Sequence, residues 1–295
     1  MQNYILSSCS TADLTKAHFE ARQIHYICFH YFLNGKQYPD DLGQTLSFPE
    51  FYKAMEEGAE TSTSQINASE YLAYFIPFLE EGKDILHVSL SSGLSGSVQS
   101  ARIAAEMAME QFPGRRVEVV DSLAASSGYG LLMDRLADLR DEGYSLDQLK
   151  EWAEEHCLEM HHWFFSTDLT YYVKGGRVSK TSGLVGGILN ICPLLNMDVE
   201  GHLIPRKKVM GKKRVFPEIL ARMEALAQDR LNYSGKCYLC HSACLEDAQK
   251  VADMVAERFP KLNGKPEIYD IGTTIGSHSG PGTVALFFWG DKRVD

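Results

Sequence analysis

Three short segments rich in hydroxyl side chains and glycine are spread along the sequence, each where a strand or loop hands over to the next element. They are Thr63-Ser64-Gln65, Ser91-Ser92-Gly93-Leu94-Ser95-Gly96 and Gly276-Ser277-His278-Ser279-Gly280-Pro281-Gly282. Loops of this composition offer backbone N–H groups and hydroxyls to an anion. None contains the lysine of a P-loop or the partners of a catalytic triad. These residues therefore indicate binding of a small acidic ligand rather than its cleavage or oxidation, and no catalytic residue is predicted.

The central segment lies between an apolar run and a helical pattern. In a parallel sheet, such a turn lies at the carboxyl edge, where ligands bind. Ser91, Ser92 and Ser95 offer hydroxyls there, and the amides near Gly93 face an anion at the start of the next helix. An ordinary glycine-serine turn with a helix cap is an equal alternative. The segment is not a nucleophile elbow, because Ser97 stands where the last glycine of G-x-S-x-G belongs.

The first segment, with Thr63 and Ser64, precedes a helix that Asn67 and Glu70 are placed to cap. From a neighbouring connection it can reach the same edge of the sheet. Taken by itself, the segment is better explained by simple helix capping.

Two charged or titratable candidates come from the second half. Arg177 follows Lys174-Gly175-Gly176, and beside glycines a guanidinium can present its planar fork to a carboxylate or phosphate. The apolar segment that follows, Gly183–Met197, either lines a pocket for an apolar ligand or packs a helix closely on a sheet. His278 and Ser279 lie among small, hydroxyl-bearing residues. A lone histidine is usually a loop or core residue, and this setting modestly strengthens the functional alternative.

A cysteine-histidine cluster, Cys237-x-x-Cys240-His241-x-x-Cys244, matches the spacing of haem attachment and offers four possible zinc ligands. Lys236–Ser242 reads as a strand, however, so Cys237 and Cys240 are expected on opposite faces. We therefore predict no metal or haem here. Six basic residues within Arg206–Arg214 form either a partner-docking surface or, more simply, a solvated hairpin.

Composition narrows the class of protein. The chain has 295 residues, 44% hydrophobic and 23% charged, which is ordinary for a globular protein of two domains. The net charge of −10 argues against nucleic-acid binding as the main function. Seven scattered cysteines and a start without a basic region favour a cytoplasmic protein. No apolar stretch is long enough to span a bilayer.

The first half alternates strands and helices, which predicts a parallel sheet with right-handed crossovers. The second half is less regular. The predicted strands are Tyr4–Leu6, Ile24–Phe29, Ile85–Leu90, Val117–Val120, Trp163–Thr167, Leu203–Val209, Lys236–Ser242, Ile268–Ile271 and Val284–Trp289; the predicted helices follow Asn67, span Ser97–Phe112, Ser126–Arg140, Pro217–Arg230 and Glu246–Phe259, and run from Ser145 toward His156. The fold class is α/β with two domains, residues 1–160 and residues 161–295.

Taken together, these segments resemble the DegV family, whose characterised members are fatty-acid-binding subunits of bacterial fatty acid kinase. The matching residues are Ser10-Thr11-Ala12-Asp13-Leu14, Thr63-Ser64-Gln65, Ser91-Ser92-Gly93-Leu94-Ser95-Gly96 with Gln99-Ser100-Ala101, Val120-Asp121-Ser122, Lys174-Gly175-Gly176-Arg177-Val178-Ser179, Leu189-Asn190-Ile191-Cys192-Pro193-Leu194 and Ile275-Gly276-Ser277-His278-Ser279-Gly280-Pro281-Gly282. Seven matches in the family's order are specific, although one alone would be weak.

The resemblance implies a Rossmann-like N-terminal domain that carries the head-group loops and a C-terminal α/β domain with an apolar lipid pocket. The hydroxyls of Thr63-Ser64 and Ser91-Ser92 would hold the carboxylate of a bound fatty acid, with Arg177 and His278 near it. The chain departs from the family at Cys9, where aspartate is usual, and at Ile66, where proline is usual. The loss of the acidic residue questions the role of the first loop.

The resulting hypothesis is a cytoplasmic lipid-binding protein, not itself an enzyme, that presents a long-chain fatty acid to a separate ATP-dependent kinase and carries the acyl phosphate. The fatty acid is a ligand, no cofactor is expected, and membrane contact is at most transient. Two alternatives remain open: an enzyme acting on a small phosphorylated or hydroxylated substrate, and a lipid sensor without a kinase partner.

Overall fold

The structure is a computed structural model that describes residues 3–179 and 191–294. Most of the apolar segment 183–197 lies outside the described residues. Over the described ranges the strands are β1 (Tyr4–Cys9), β2 (Ile24–Ile27), β3 (His30–Leu33), β4 (Lys36–Pro39), β5 (Thr61–Ser64), β6 (Asp84–Ser89), β7 (Val117–Asp121), β8 (Met160–Ser166), β9 (Ile191–Met197), β10 (Leu203–Met210), β11 (Tyr238–His241), β12 (Glu267–Asp270) and β13 (Thr283–Trp289). The α-helices are α1 (Lys16–Ala21), α2 (Phe48–Glu56), α3 (Ala68–Glu80), α4 (Ser97–Gln111), α5 (Ser126–Asp141), α6 (Leu146–His156), α7 (Thr170–Lys174), α8 (Lys212–Leu226), α9 (Leu245–Arg258) and α10 (Thr273–Ser279).

The first half of the chain forms a four-stranded parallel sheet in the order β2-β1-β6-β7. Its central strands β1 and β6 are almost entirely buried, because helices cover both faces of a parallel sheet. The helices begin where local chemistry favours it: Asn67 with Glu70, and Ser145 with Gln148, form capping boxes at α3 and α6. The predicted parallel α/β half is confirmed.

The second half forms a six-stranded mixed sheet in the order β10-β9-β8-β13-β11-β12. In and beside β11, Cys237 and Leu239 lie in the core under α8 and α9, whereas Tyr238 and Cys240 belong to the core shared with α5. The prediction that Cys237 and Cys240 point to opposite faces is therefore confirmed. The chain passes from the first sheet to the second between β7 and β8. The domain boundary near residue 160 stays a prediction.

A small antiparallel sheet, β4-β3-β5, was not predicted. Its strand β5 contains only Thr and Ser, so it carries no apolar alternation that would have indicated a strand. Pairing of Thr63 with Tyr31 fixes the register. This pairing presents one hydroxyl-rich edge of the first half to helix α10 of the second half.

Three predicted elements need correction. The segment 276–282, interpreted as a loop, is helical up to Ser279, and Gly280 with φ +66° ends the helix. Its Gly and Ser residues are poor helix formers, so contacts with the first half must stabilise it. Helix α8 begins at Lys212 rather than at Pro217, which lies inside the helix, and strand β2 ends at Ile27 rather than at Phe29.

Buried neutral histidines predict a loss of stability in acid. Burial lowers the pKa of His87 to about 3, and those of His161 and His278 to about 4. Below the unfolded pKa of about 6.5, the unfolded chain binds protons that the folded chain does not, so each histidine lowers the free energy of unfolding by about 1.4 kcal/mol per pH unit as the pH falls.

The free energy of unfolding, measured by urea titration at several pH values between about 6 and 5, should fall with this slope. In the His87→Gln variant, which lacks one of these histidines, the slope should be smaller by about 1.4 kcal/mol per pH unit. Burial raises the pKa values of Asp13 and Asp40, so these residues stabilise the folded protein as the pH falls. Because the wild type and the His87→Gln variant both contain them, they do not affect the difference between the two slopes. Equal slopes in the two proteins would contradict the prediction.

Candidate functional site

A cavity of about 370 Å³ lies between one face of the six-stranded sheet and the loops at the carboxyl ends of β6 and β7. Its volume falls in the range of small-molecule sites. Both halves of the chain line it: Phe29, Thr63, Gln65, Leu90, Leu94, Ser95, Gly96, Ala125 and Ser126 from the first, and His162, Phe164, Tyr172, Arg177, Met197, Leu203, Cys240, Ile271, Thr274, Ile275, His278, Ser279, Thr283, Ala285 and Phe287 from the second.

The long wall of the cavity is a face of the sheet. Thr283, Ala285 and Phe287 alternate along β13 and therefore point to one side, and they span about 13 Å along the strand. Across the ladder, Ala285 pairs with Phe164 and Phe287 pairs with His162. Helix α5 then covers the sheet, because Gly128 packs directly against the rings of His162 and Phe287.

Polar groups along this wall are satisfied within the protein. The Nδ1–H of His162 donates to Met160 O at 3.1 Å, while its Nε2 accepts from the Ala125 amide at 3.2 Å. Thr283 Oγ1 donates to Ser166 Oγ at 3.1 Å and lies 3.0 Å from the Tyr172 hydroxyl. This part of the cavity therefore presents no unused hydrogen-bonding group from these side chains, and it suits an apolar ligand.

One end of the cavity carries different chemistry. Thr63 Oγ1 of β5 lies 2.7 Å from His278 Nε2 of α10, so a hydrogen bond joins the two halves of the chain here. Burial, with Arg177 nearby, lowers the pKa of His278 to about 4, so this imidazole is neutral at neutral pH. Ser279 follows on the same helix and also lines the cavity.

Arg177 brings the positive charge to this end. Its Nη1 donates to Gly175 O at 2.5 Å and its Nη2 donates to Leu94 O at 3.1 Å. Burial lowers its pKa from the ordinary value, and among the described residues it forms no ion pair with a carboxylate. A half-buried guanidinium that, among the described residues, is held by carbonyl groups favours an anion in the adjoining space.

Gly175 is required for the approach of His278. A Cβ atom at this position would overlap with His278 Nδ1. The Lys174-Gly175-Gly176-Arg177 motif therefore does two things: it leaves room for the imidazole and it delivers the guanidinium beside it.

The serine segment divides into a structural part and a part that faces the cavity. Ser91 Oγ donates to Gly201 O at 3.0 Å and accepts from the Gly93 amide at 3.1 Å. Ser92 is exposed, and its amide donates to Asp121 at 3.1 Å. Ser95 lines the cavity, and its Oγ accepts from the Ser97 amide at 3.2 Å, which leaves its hydroxyl hydrogen for a ligand.

Of the nine predicted ligand-binding residues, the structure brings five together around the cavity and leaves four outside its lining. The five are Thr63, Ser95, Arg177, His278 and Ser279, and the four are Ser64, Ser91, Ser92 and Gly93. Sequence reasoning did not select two further lining residues, Gln65 and Thr274; the buried Oγ1 of Thr274 has no hydrogen-bond partner within the described part of the chain. No local pattern indicated Thr274, because the glycine and hydroxyl residues of this segment favour turns rather than the helix that places it.

Among the described residues, no group of three or more His, Cys, Asp or Glu side chains is arranged to hold a metal ion. No helix in the same ranges has the length and hydropathy needed to cross a bilayer.

Comparison with known proteins decides the family. The model described as "Uncharacterised protein, DegV family" matches residues 9–291. The chain belongs to the DegV family. It is 32% identical over 294 residues to a DegV domain-containing protein of Clostridium perfringens, covering 99% of each chain, and 33% identical over 278 residues to one of Lactococcus lactis, covering 94% of each.

Solved DegV structures share the fold. A DegV family protein of Thermus thermophilus, described as binding fatty acid, superposes with a TM-score of 0.86 at 27% identity, over 98% of this chain and 100% of that one. A DegV lipid-binding protein of Thermotoga maritima superposes with a TM-score of 0.82 at 26% identity, over 99% of this chain and 100% of that one.

The cysteine cluster predicts a negative result for metals. Because Cys237 and Cys240 lie in different cores, they cannot ligate one ion without disrupting the sheet. Elemental analysis of the purified protein should find no stoichiometric zinc, and its visible spectrum should lack a Soret band. One zinc per chain, lost on Cys240→Ser, would contradict this.

Proposed function

We propose that this DegV protein binds a long-chain fatty acid, presents its carboxylate to a separate ATP-dependent kinase in the cytoplasm, and carries the acyl phosphate that forms. The observation that carries the proposal is the division of one cavity into a polar end and a long wall. The polar end contains Thr63, Ser95, Arg177 and His278, whereas the polar side chains of the wall, His162, Tyr172 and Thr283, are already hydrogen-bonded within the protein. A fatty acid has the same division.

The energetics fit this ligand. Each buried CH₂ of an acyl chain contributes about 0.8 kcal/mol, so the apolar wall supplies affinity. The carboxylate then needs donors, and the hydroxyl hydrogen of Ser95 and the guanidinium of Arg177 are available. The Thermus and Thermotoga relatives, described as binding fatty acid and lipid, support the same ligand class.

A separate kinase supplies the phosphoryl group in this proposal. The sequence contains no G-x-x-x-x-G-K-[ST] segment that would cradle ATP phosphates. Because His278 is neutral, it contributes no positive charge to the site. Its proposed role is to orient the head group through its hydrogen bond with Thr63. Arg177 remains as the group that can meet the greater negative charge of an acyl phosphate.

The head-group assignment predicts selective losses of affinity. Ser95→Ala should weaken palmitate binding about tenfold or more, because it removes a hydrogen bond to a charged carboxylate. Thr63→Val should weaken it by a similar factor, because it breaks the contact with His278 that organises the polar end of the cavity. Ser92→Ala, in the same loop as Ser95 but outside the cavity lining, is the matched control and should bind as the wild type does. Calorimetry with palmitate measures all three.

Native mass spectrometry of protein purified from cells tests the ligand class itself. A bound mass equal to a common fatty acid is the expected result. A phosphorylated metabolite instead would favour an enzyme acting on a small substrate. The protein could instead bind lipid while no kinase, either co-purified with it or encoded by a nearby gene, forms an acyl phosphate from that lipid. This result would favour a lipid sensor.

The proposed division of roles predicts that Arg177→Gln slows kinase-coupled acyl phosphate formation about a hundredfold or more, while palmitate affinity falls less than tenfold. The reason is that charge on the head group grows as the reaction proceeds, and interactions that strengthen then raise the rate. Lys174→Gln, an equal change of charge at an exposed neighbouring position, should change neither quantity. Equal losses of affinity and turnover in Arg177→Gln would refute the division.

A further inference from the structure

Two carboxylates from the first half of the chain lie buried at the start of helix α10. Asp13 and Asp40 are 4% and 1% exposed, and among the described residues neither forms an ion pair with Lys, Arg or His. Buried carboxylates without a cationic partner are costly, so they are retained only where hydrogen bonds compensate them. Here part of the compensation comes from the other half of the chain.

Asp40 accepts from the first turn of α10. Its Oδ1 accepts from Thr273 Oγ1 at 2.8 Å, and its Oδ2 accepts from the Thr274 amide at 3.4 Å. A third donor, Ser10 Oγ at 3.2 Å, comes from the loop after β1. The helix itself supplies no cap, because its N-cap residue is Gly272 and its first turn contains no acidic side chain. Asp40 therefore performs the capping that the local sequence omits.

Asp13 also lies close to Gly272. A Cβ atom on Gly272 would lie 2.6 Å from Asp13 Oδ1 and 3.4 Å from Asp40 Oδ1, so both carboxyl groups approach the same side of the glycine and leave no room for a side chain there. Ser126 Oγ donates to Asp13 Oδ2. Asp13 and Ser126 both hold positive φ angles, +47° and +54°, an unusual conformation that the surrounding contacts must stabilise.

The helix that these groups hold carries the head-group residues at its other end. His278 lies six residues after Gly272, about 9 Å along the helix axis. There it meets Thr63, which also comes from the first half. Helix α10 is thus held by the first half at both ends, and its seven residues are too few to be stable alone.

We propose that Asp40, supported by Asp13, is a positioning residue that fixes helix α10 and thereby holds His278 against Thr63 at the head-group end of the cavity. This inference rests on the proposed fatty-acid site. Without the Asp40 cap, the first turn of α10 opens, His278 moves away from Thr63, and a bound carboxylate is released faster.

The experiment compares Asp40→Asn with Asp41→Asn. Asp41 is the same residue type at the next position, but it caps its own turn through the amides of Gln44 and Thr45. We expect Asp40→Asn to raise the palmitate dissociation rate about tenfold or more, to shift the ring ¹⁵N signals of His278, and to speed hydrogen exchange of the Gly276 amide in α10. Asp41→Asn should leave all three unchanged.

A folded Asp40→Asn protein with wild-type dissociation rate and wild-type His278 signals would overturn the inference. A lower melting temperature with unchanged His278 signals would also overturn it, since Asp40 would then only stabilise the fold. If Asp40→Asn does not fold, Thr273→Val removes the 2.8 Å hydrogen bond alone and takes its place, with the same expected changes. If wild-type protein binds no palmitate, the proposed function fails, but the His278 signals and Gly276 exchange still decide the positioning role.

Discussion

The hydrogen bond between Thr63 and His278 is the contact on which the organisation of the site depends. It joins a strand of the small sheet to helix α10 and so connects the two halves of the chain at the polar end of the cavity. Neither partner could be placed by its own neighbours alone. Thr63 needs the β3–β5 pairing, and His278 needs both the space left by Gly175 and the helix anchored near Asp40. The site therefore exists only when both halves have folded and docked, which makes it sensitive to changes far from the ligand.

Polarity along the cavity follows from the secondary structure that lines it. The face of a sheet presents every second side chain, and its backbone groups are used in the ladder, so Ala285 and Phe287 give an apolar wall. Loops and helix ends expose unpaired N–H groups and short hydroxyl side chains, so the polar groups gather where β5, the Ser95 loop and α10 meet. A ligand with one charged end and one long apolar part matches this division without any dedicated catalytic group.

Local patterns in the sequence predicted much of the fold and part of the site. Capping boxes at Asn67 and Ser145, and the alternation around Cys237 and Cys240, depend on neighbouring residues, so they could be interpreted before the structure was known. Strand β5 and helix α10 could not, because their hydroxyl and glycine residues favour turns and the elements form through contacts with distant parts of the chain. For the same reason the serine segment was assigned as one ligand-binding unit, although Ser91 and Ser95 face different surroundings.

The departure at Cys9 has a physical explanation in the fold. Its side chain is fully buried in the core of the parallel sheet, with Sγ 3.4 Å from the Tyr71 hydroxyl and 3.8 Å from His87 Nε2, and it does not line the cavity. Burial raises the pKa of this thiol, so it remains neutral beside a neutral imidazole. The following residues of the same loop, Ser10 and Asp13, face the start of helix α10 instead. A change at Cys9 therefore alters packing within the first half, while the contacts that connect this loop to the head-group helix are retained.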